Sequence, residues 1–237
     1  MGESVVVVMP TYNERDNIEQ MARSILERPC RPRLLVVDDA SPDGTGTIVS
    51  KLAAELPGRI SLLERKGKDG LGRAYAAGFA MALADFDPDV VVQMDADGSH
   101  DPADIDRLVD ALEHADLAIG SRYMSGGDIV GWSKHREVLS RAGNLYARAV
   151  LASSLRDLTG GFKAWRAELL RKLHAETTES HGYGFQIEMT TRARAAGATI
   201  VEIPIIFRER VAGSSKMSTR IAIEALRGVP AMRRILR

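Results

Sequence analysis

Two carboxylates, Asp95 and Asp97, close a short apolar run, Val90-Val91-Val92-Gln93-Met94. A run of this length suits an interior strand of a parallel sheet, and ligands of open α/β sheets gather at the carboxyl ends of such strands. In a strict strand the two acids point to opposite faces, but Gly98 offers a turn that can bring them together. Two carboxylates, completed by solvent and phosphate oxygens, suit a hard divalent cation. The same Asp-Ala-Asp, taken alone, also fits a solvated strand end, with Ser99 or Asp101 starting the next helix.

Strands and helices that could hold these acids alternate along the chain. Residues 4–9 are rich in valine and read as a first strand, broken by Pro10-Thr11-Tyr12-Asn13-Glu14. Asp16 or Asn17 caps a helix running to about residue 27. Residues 34–37 form a second strand ending in Asp38-Asp39, and a helix follows the Ser41-Pro42-Asp43-Gly44-Thr45 turn. Residues 60–63 are a third strand. A small-residue helix covers about residues 73–84, and its alanines and Gly78 suggest close packing on the sheet. After the Val90 strand come a helix at 103–114 and a fifth strand at 117–121. Strict alternation predicts a parallel, doubly wound sheet. Beyond Tyr123 the reading is a loop at 125–128, a helix at 138–151, a turn at 157–162, a strand to Trp165 and a short helix to Leu173. A helix at 185–195 and a last strand at 199–207 follow, and Pro204 favours an edge position for that strand.

Composition narrows the class. The 237 residues are 45% hydrophobic and 27% charged, enough for a real core in one domain, or one with an appendage. A formal net charge of zero argues against a general nucleic-acid binder. Cys30 is the single cysteine, so no internal disulfide is possible and a reducing compartment fits. Lying between Pro29 and Pro32 in a connecting loop, it is a poor nucleophile. No signal peptide is expected, because Met1-Gly2-Glu3-Ser4 leads straight into a strand. No apolar run approaches the roughly 18 residues that span a bilayer. Gly67-Lys68-Asp69-Gly70-Leu71-Gly72 is neither a Walker A loop nor a dinucleotide fingerprint, so any nucleotide binds in another way.

Taken together, Pro10-Thr11-Tyr12-Asn13-Glu14, Val36-Val37-Asp38-Asp39-Ala40-Ser41 and Asp95-Ala96-Asp97 resemble the glycosyltransferase family 2 pattern on the GT-A fold. Downstream segments narrow the likeness to the dolichol-phosphate mannosyltransferases, also called polyprenol monophosphomannose synthases. They are Gly120-Ser121-Arg122-Tyr123, Gly131-Trp132-Ser133, Arg136 with Ser140-Arg141, Asp157-Leu158-Thr159-Gly160-Gly161-Phe162, Gly184-Phe185-Gln186-Ile187-Glu188-Met189, and Arg210-Val211-Ala212-Gly213-Ser214-Ser215-Lys216. The implied fold class is α/β: a GT-A fold whose doubly wound, mostly parallel sheet carries helices on both faces and a C-terminal amphipathic helix. This sequence departs from many relatives in showing no C-terminal membrane helices. Some relatives also place a glutamine two residues after the second acid, where Ser99 stands.

The resemblance implies a role for each residue. Pro10, Tyr12, Glu14, Val37 and Asp39 form the nucleotide pocket, where a tyrosine ring can flank a base and a carboxylate can accept from ribose hydroxyls. Glu14 equally suits a first-turn helix acid, and Asp38 is structural. Asp95 and Asp97, with Ala96 between them, hold Mg²⁺ or Mn²⁺ against the diphosphate of GDP-mannose. Arg210 and Lys216 add positive charge from a loop that Gly213-Ser214-Ser215 could hinge, or are a solvated basic loop. The acceptor is a polyprenyl phosphate, already anionic at neutral pH, so it needs cations rather than a general base. Arg122, Arg136 and Ser140 are the candidates to hold it, and Arg122 also joins the donor side and the catalytic set. Arg136 and Arg141 also suit an ordinary charged helix surface. Asp157 either orients an acceptor-site arginine or begins a turn. His100, His135 and His181 lack metal-ligand spacing and read as incidental.

The expected activity is inverting transfer of mannose from GDP-mannose to a polyprenyl phosphate. Alternatives are UDP-glucose as donor, or a non-catalytic subunit that binds a nucleotide sugar. Residues 1–217 are read as the catalytic domain and 218–237 as a basic amphipathic helix. There Ile221, Ala225, Val229 and Met232 recur at helical spacing among Arg220, Arg227, Arg233, Arg234 and Arg237. Pro230 is expected to kink or break that helix after Gly228. Such a helix can lie on an anionic leaflet or dock on the protein's own core. The acceptor's lipid tail favours the leaflet, or a separate membrane-anchoring subunit using the same apolar face. The expected location is cytoplasmic, peripheral on the cytoplasmic face of a membrane, with no nucleic-acid partner.

Overall fold

In the first strand, β1 (Val5–Thr11), alternate side chains serve opposite faces of the sheet. Val5, Val7 and Met9 join one core cluster and Val6 and Val8 the other, and all five are buried. A strand buried on both faces needs a helix layer on each side, and that is the architecture of the computed structural model, which describes residues 3–178, 180, 182–209 and 228–236. On one face lie α1 (Ile18–Leu26), α2 (Thr45–Glu55) and α4 (Asp104–Asp110). On the other lie α3 (Leu71–Met81), α6 (Ala167–Leu173) and α7 (Tyr183–Ala195).

The sheet has seven strands in the order β3-β2-β1-β4-β7-β5-β8. Here β2 is Arg33–Asp38, β3 Ile60–Glu64, β4 Val90–Gln93, β5 Leu117–Ser121, β7 Lys163–Arg166 and β8 Ile200–Pro204. The expected parallel pairing holds except at β7, which runs antiparallel between β4 and β5. The chain enters β7 from a turn at the carboxyl end of the sheet, where the Gly120 N–H donates to the Phe162 carbonyl at 2.9 Å. A strand entered from that end has to run backward, and the alternation of elements could not show it.

Two further boundaries differ from the sequence reading. The expected strand at 199–207 is two strands: β8 ends at Pro204 on the sheet edge, and Ile205 turns inward, buried. β9 (Ile206–Arg208) then pairs in parallel with β6 (Asp128–Val130), inside what reads as a loop. The helix expected from residue 138 begins earlier, as α5 (Lys134–Val150). Ser133 is its N-cap, with its hydroxyl accepting from the Arg136 N–H, and a polar first turn hid that start.

Close approach of α3 to the sheet is measurable at Gly78. A β-carbon there would lie 2.4 Å from Val8 Cγ1 and 2.8 Å from Val37 Cγ2. Gly78→Ala is therefore expected to destabilise the protein by about 1–3 kcal/mol, despite alanine's better helix propensity. A urea midpoint equal to wild type would show that α3 can shift outward instead.

A third, smaller cluster joins Ala147 and Leu151 at the end of α5 to Leu158, Ile187, Val229 and Met232. Residues 228–232 are helical and continue into a 3₁₀ turn, Arg233–Leu236. Pro230 therefore sits within this helical segment rather than ending it at Gly228. Val229 and Met232, two residues of the expected apolar stripe, pack on the protein's own core, the second of the two placements considered for that helix and not the leaflet favoured by the acceptor's tail. Arg220, Ile221, Ala225, Arg227 and Arg237 lie outside the described residues.

Candidate active site

Asp95 lies two residues past the end of β4 and is held from two sides. The Tyr75 hydroxyl donates to its Oδ1 at 2.7 Å. Its backbone N–H donates to His100 Nδ1 at 3.2 Å, which leaves the imidazole proton on Nε2. Burial pushes the His100 pKa down, favouring that neutral form. The ring stacks on Phe162 at 4.8 Å and meets Phe207 edge-on at 5.5 Å. His100 is thus not incidental: it fixes the turn that carries the acids. Tyr75 is fully buried and stacks against Phe79 and Phe185. Burial, then the charge of Asp95, raises its pKa well above the usual phenol value, so it remains a donor. A large polar residue amid the alanines and glycines of α3 is the sequence signal that could have marked it.

Gly98, at φ 75°, makes the turn after the acids. Asp97 is buried, and its Oδ1 accepts from the Ser99 N–H at 3.1 Å. Ser99 Oγ is buried with no hydrogen-bond partner among the described residues. A β-carbon at Gly161 would sit 3.5 Å from Asp95 Oδ2, so the glycine leaves space beside that oxygen. Among the described residues no group of three His, Cys, Asp or Glu gathers to hold a metal. The donor set is two carboxylates with one orphaned hydroxyl nearby. That fits a hard cation whose remaining ligands come from water and phosphate.

On the nucleotide side, the loops after β1 and β2 brace one another. Asp38 accepts from the Thr11 and Ser41 hydroxyls at 2.7 and 2.6 Å, a structural role. Asn13 and Ala40 adopt positive φ, 56° and 54°, which these contacts hold in place. Glu14 accepts from Asn17 Nδ2 at 3.0 Å and its N–H donates to Thr45 Oγ1 at 3.0 Å. Asn17 starts α1 but makes no side-chain cap bond. Asp39 pairs with Arg65 at 2.6 Å, yet burial outweighs the guanidinium and raises its pKa. Lys68, from the glycine loop, lies 4.2 Å above the Tyr12 ring. Pro10 pairs with Val37 in the β1–β2 ladder. Val37 is wholly buried in the core, backbone included, and presents no surface to a nucleotide, contrary to the expectation that it lines the pocket.

Arg122 follows β5 and is buried against Asp157. Its Nε and Nη2 donate to the two carboxylate oxygens at 2.7 and 2.8 Å, and Nη2 also reaches Thr159 Oγ1 at 2.7 Å. Burial alone would push the Asp157 carboxyl up, but the guanidinium outweighs it and holds the pKa below the usual range. Asp157 thus orients Arg122 and also begins the turn, since its Oδ1 accepts from the Thr159 N–H at 3.3 Å. The other acceptor candidates are also engaged. Ser140 bonds the Tyr123 hydroxyl at 2.7 Å. Arg136 donates to both Glu209 oxygens at 2.7 Å and lies 4.0 Å over the Trp132 ring. Arg141 lies over the Tyr123 ring and pairs with Glu137, and His135 is exposed. Arg210, Lys216 and His181 lie outside the described residues.

The turn at 157–162 joins the two halves. One end grips Arg122, and the other brings Gly161 against Asp95, His100 and Gln186. Beneath it, Lys163 is wholly buried, and its Nζ donates to Gln186 O, Gln186 Oε1 and Thr190 Oγ1 at 2.9, 3.1 and 2.9 Å. None of these acceptors is charged, and burial lowers the lysine pKa to about 7. An unfolded lysine keeps its proton to about 10.4, so between these values the unfolded state binds more protons and stability rises with pH. Wild type should therefore gain a few kcal/mol over Lys163→Met between about pH 7 and 10. A constant difference in chemical-denaturation free energy across that range would show a lysine charged throughout.

Residues 6–174 match the family described as Glycosyl transferase family 2. The chain belongs to this family. As a family 2 glycosyltransferase it shares 47% identity over 222 residues with the undecaprenyl-phosphate mannosyltransferase of Micrococcus luteus, covering 94% of this chain and 90% of that protein. It is 44% identical over 225 residues to the polyprenol monophosphomannose synthase of Mycolicibacterium smegmatis, covering 94% and 84%. Among solved structures it is similar to the mannosyltransferase PcManGT from Pyrobaculum calidifontis in complex with GDP-Man and Mn²⁺. The TM-score is 0.66 at 23% identity, over 91% of this chain and 59% of that one. Glucosyl-3-phosphoglycerate synthase from Mycobacterium tuberculosis, with Mn²⁺, UDP and glucosyl-3-phosphoglycerate, gives the same TM-score and identity over 98% and 78%. At that identity the structures establish the GT-A fold of this enzyme.

Proposed function

We propose that this glycosyltransferase moves mannose from GDP-mannose to a polyprenyl phosphate, with inversion at the anomeric carbon. The observation that carries the reading is the turn at 157–162, which locks the buried Arg122 onto Asp157 at one end and brings Gly161 up to Asp95 at the other. Acids for a cation-bound diphosphate and guanidinium for a phosphate acceptor are the two halves such a transfer requires. The identities of 47% and 44% to enzymes named for polyprenyl-phosphate mannosyl transfer support the same donor sugar and acceptor class.

In this reading Asp95 and Asp97 hold Mg²⁺ or Mn²⁺, which when bound neutralises the departing nucleoside diphosphate. Tyr75 and His100 orient Asp95 before substrate arrives. Tyr12, Glu14 and Asp39 border the nucleotide, and Arg210 and Lys216 add charge to the diphosphate. Arg122 needs no reorganisation, because Asp157 already fixes its plane. A phosphate monoester attacks the anomeric carbon as an anion, so no side chain has to remove a proton. Arg136 meets Glu209 through Nη1 alone, which leaves its Nη2 and Nε uncommitted to that carboxylate and able to turn to the phosphate.

Arg136→Ala is expected to raise the acceptor KM or lower kcat by about tenfold or more while leaving GDP affinity nearly unchanged. An equal loss of GDP affinity, read by calorimetry, would move Arg136 to the donor side. The donor itself is tested by offering GDP-mannose and UDP-glucose side by side with a short polyprenyl phosphate. Turnover with GDP-mannose is expected to dominate, and preferential use of UDP-glucose would overturn the mannosyl assignment.

Among the described residues no helix is long and apolar enough to cross a membrane. Because the proposed acceptor is lipid-linked, we infer that the enzyme works against a membrane, on its cytoplasmic leaflet, by its own surface or through a separate anchoring subunit.

A further inference from the structure

We propose that Lys163 is a positioning residue for the reaction, holding Asp95 in place through a buried hydrogen-bond chain that runs by way of Gln186, Gln93 and Tyr75. The inference rests on the reading of Asp95 as a cation ligand; the chain itself is read from the core. Lys163 on β7, Gln186 on α7, Gln93 on β4 and Tyr75 on α3 are all buried, so four elements meet in a seam closed to water. Packing alone does not call for an amine there. A methionine would fill much the same volume without the cost of burying one.

Lys163 Nζ donates to Gln186 Oε1 at 3.1 Å, and Gln93 Nε2 donates to the same oxygen at 2.7 Å. The Gln93 amide also hydrogen-bonds the Tyr75 hydroxyl. That hydroxyl gives its one proton to Asp95 Oδ1 at 2.7 Å, so toward Gln93 it is the acceptor. Lys163 decides which way the Gln186 amide faces. Turned over, the amide would set Gln186 Nε2 against Lys163 Nζ and Gln93 Nε2, three donors with no acceptor among them. Gln93 depends on this choice, because its own Oε1 has no partner among the described residues. Its amide is held by what it meets on either side, Gln186 and Tyr75.

Two further bonds keep the amine from turning away: Nζ donates to the Gln186 carbonyl and to Thr190 Oγ1, each at 2.9 Å. All three acceptors lie on α7 and none on the turn at 157–162, so the lysine reaches toward Asp95 rather than toward Arg122. Lysine carries only donors and an ionised carboxylate only acceptors, which fixes both ends of the chain. The tyrosine and the amides between them have one arrangement that satisfies these ends. A carboxylate held in one orientation before the cation arrives has less freedom to lose on binding it.

The test is Mn²⁺ binding by the full chain with GDP present, read from the electron paramagnetic resonance signal of free Mn²⁺, alongside steady-state kinetics. Circular dichroism shows which variants are folded. Lys163→Met is expected to weaken Mn²⁺ binding about tenfold and to lower kcat, with the acceptor KM unchanged. Gln93→Met cuts the chain midway and should do the same if Lys163→Met folds poorly. In Tyr75→Phe the chain no longer reaches Asp95, so adding Lys163→Met should weaken Mn²⁺ binding no further. Losses that multiply in the double variant would mean two separate structural effects and would overturn the proposal. A loss confined to the acceptor KM would do so too, by placing the effect of Lys163 on the Arg122 turn. Asp95→Asn separates this inference from the reading beneath it. Mn²⁺ binding that survives Asp95→Asn would overturn the cation reading and the proposal together. Equal Mn²⁺ affinity in wild type, Lys163→Met and Gln93→Met, with Asp95→Asn deficient, would overturn the proposal alone.

Discussion

Asp97→Ala is expected to reduce sugar transfer by at least about a thousandfold, the largest single effect anticipated for this protein. In the proposed mechanism the acid acts through a cation, so its loss is expected to weaken GDP-mannose binding only when Mg²⁺ or Mn²⁺ is present. In the presence of a chelator, wild type and variant should bind the nucleotide sugar alike. Asp97 is buried and bonded to the Ser99 N–H, a bond whose loss costs about 0.5–1.5 kcal/mol, so circular dichroism should accompany the assay to show that the variant is folded. Wild-type turnover in the variant would remove Asp97 from the reaction. Metal-independent loss of binding would assign it to the nucleotide instead.

The second large effect belongs to Asp157. Its removal leaves the Arg122 guanidinium buried without its counter-ion, which typically costs about 3–5 kcal/mol. For a chain of this size that corresponds to a drop in Tm of about 10 °C or more. Asp157→Ala should therefore lower both stability and acceptor use, whereas Asp157→Asn keeps the shape and loses the charge. The folded pKa of Asp157 lies below its unfolded value. Its stabilising contribution is thus full above about pH 5 and fades as pH falls through the folded pKa. The stability gap between wild type and Asp157→Ala should accordingly close in acid. A gap that stayed constant to about pH 2 would mean that the pair contributes packing rather than charge.

Much of the fold was legible because its signals are local. The valine runs of β1 and β4 announce strands buried on both faces, and the small residues of α3 announce the close approach seen at Gly78. Pro204 marked an edge strand, which β8 is, but not the break after it, because that break depends on Ile205 turning inward. The reversed β7 has no local signature: its direction is set by where the preceding turn lies in space. The site divides in the same way. Asp95 and Asp97 were visible as acids after an apolar strand, and Arg122 through the family resemblance of its segment. Tyr75 and His100 were not, since each acts on Asp95 through a contact that only the folded chain creates. The partnership of Arg136 with Glu209, 73 positions away, is of the same kind.

The most direct measurement follows labelled mannose from GDP-mannose into the organic phase, with a short polyprenyl phosphate and Mg²⁺ or Mn²⁺ present. The label is expected to enter a mannosyl phosphate lipid and to stay in the aqueous phase when a chelator or Asp97→Ala is used. Transfer that proceeds equally without a divalent cation, or none at all from GDP-mannose to any polyprenyl phosphate under conditions where the folded protein binds both, would contradict the assignment.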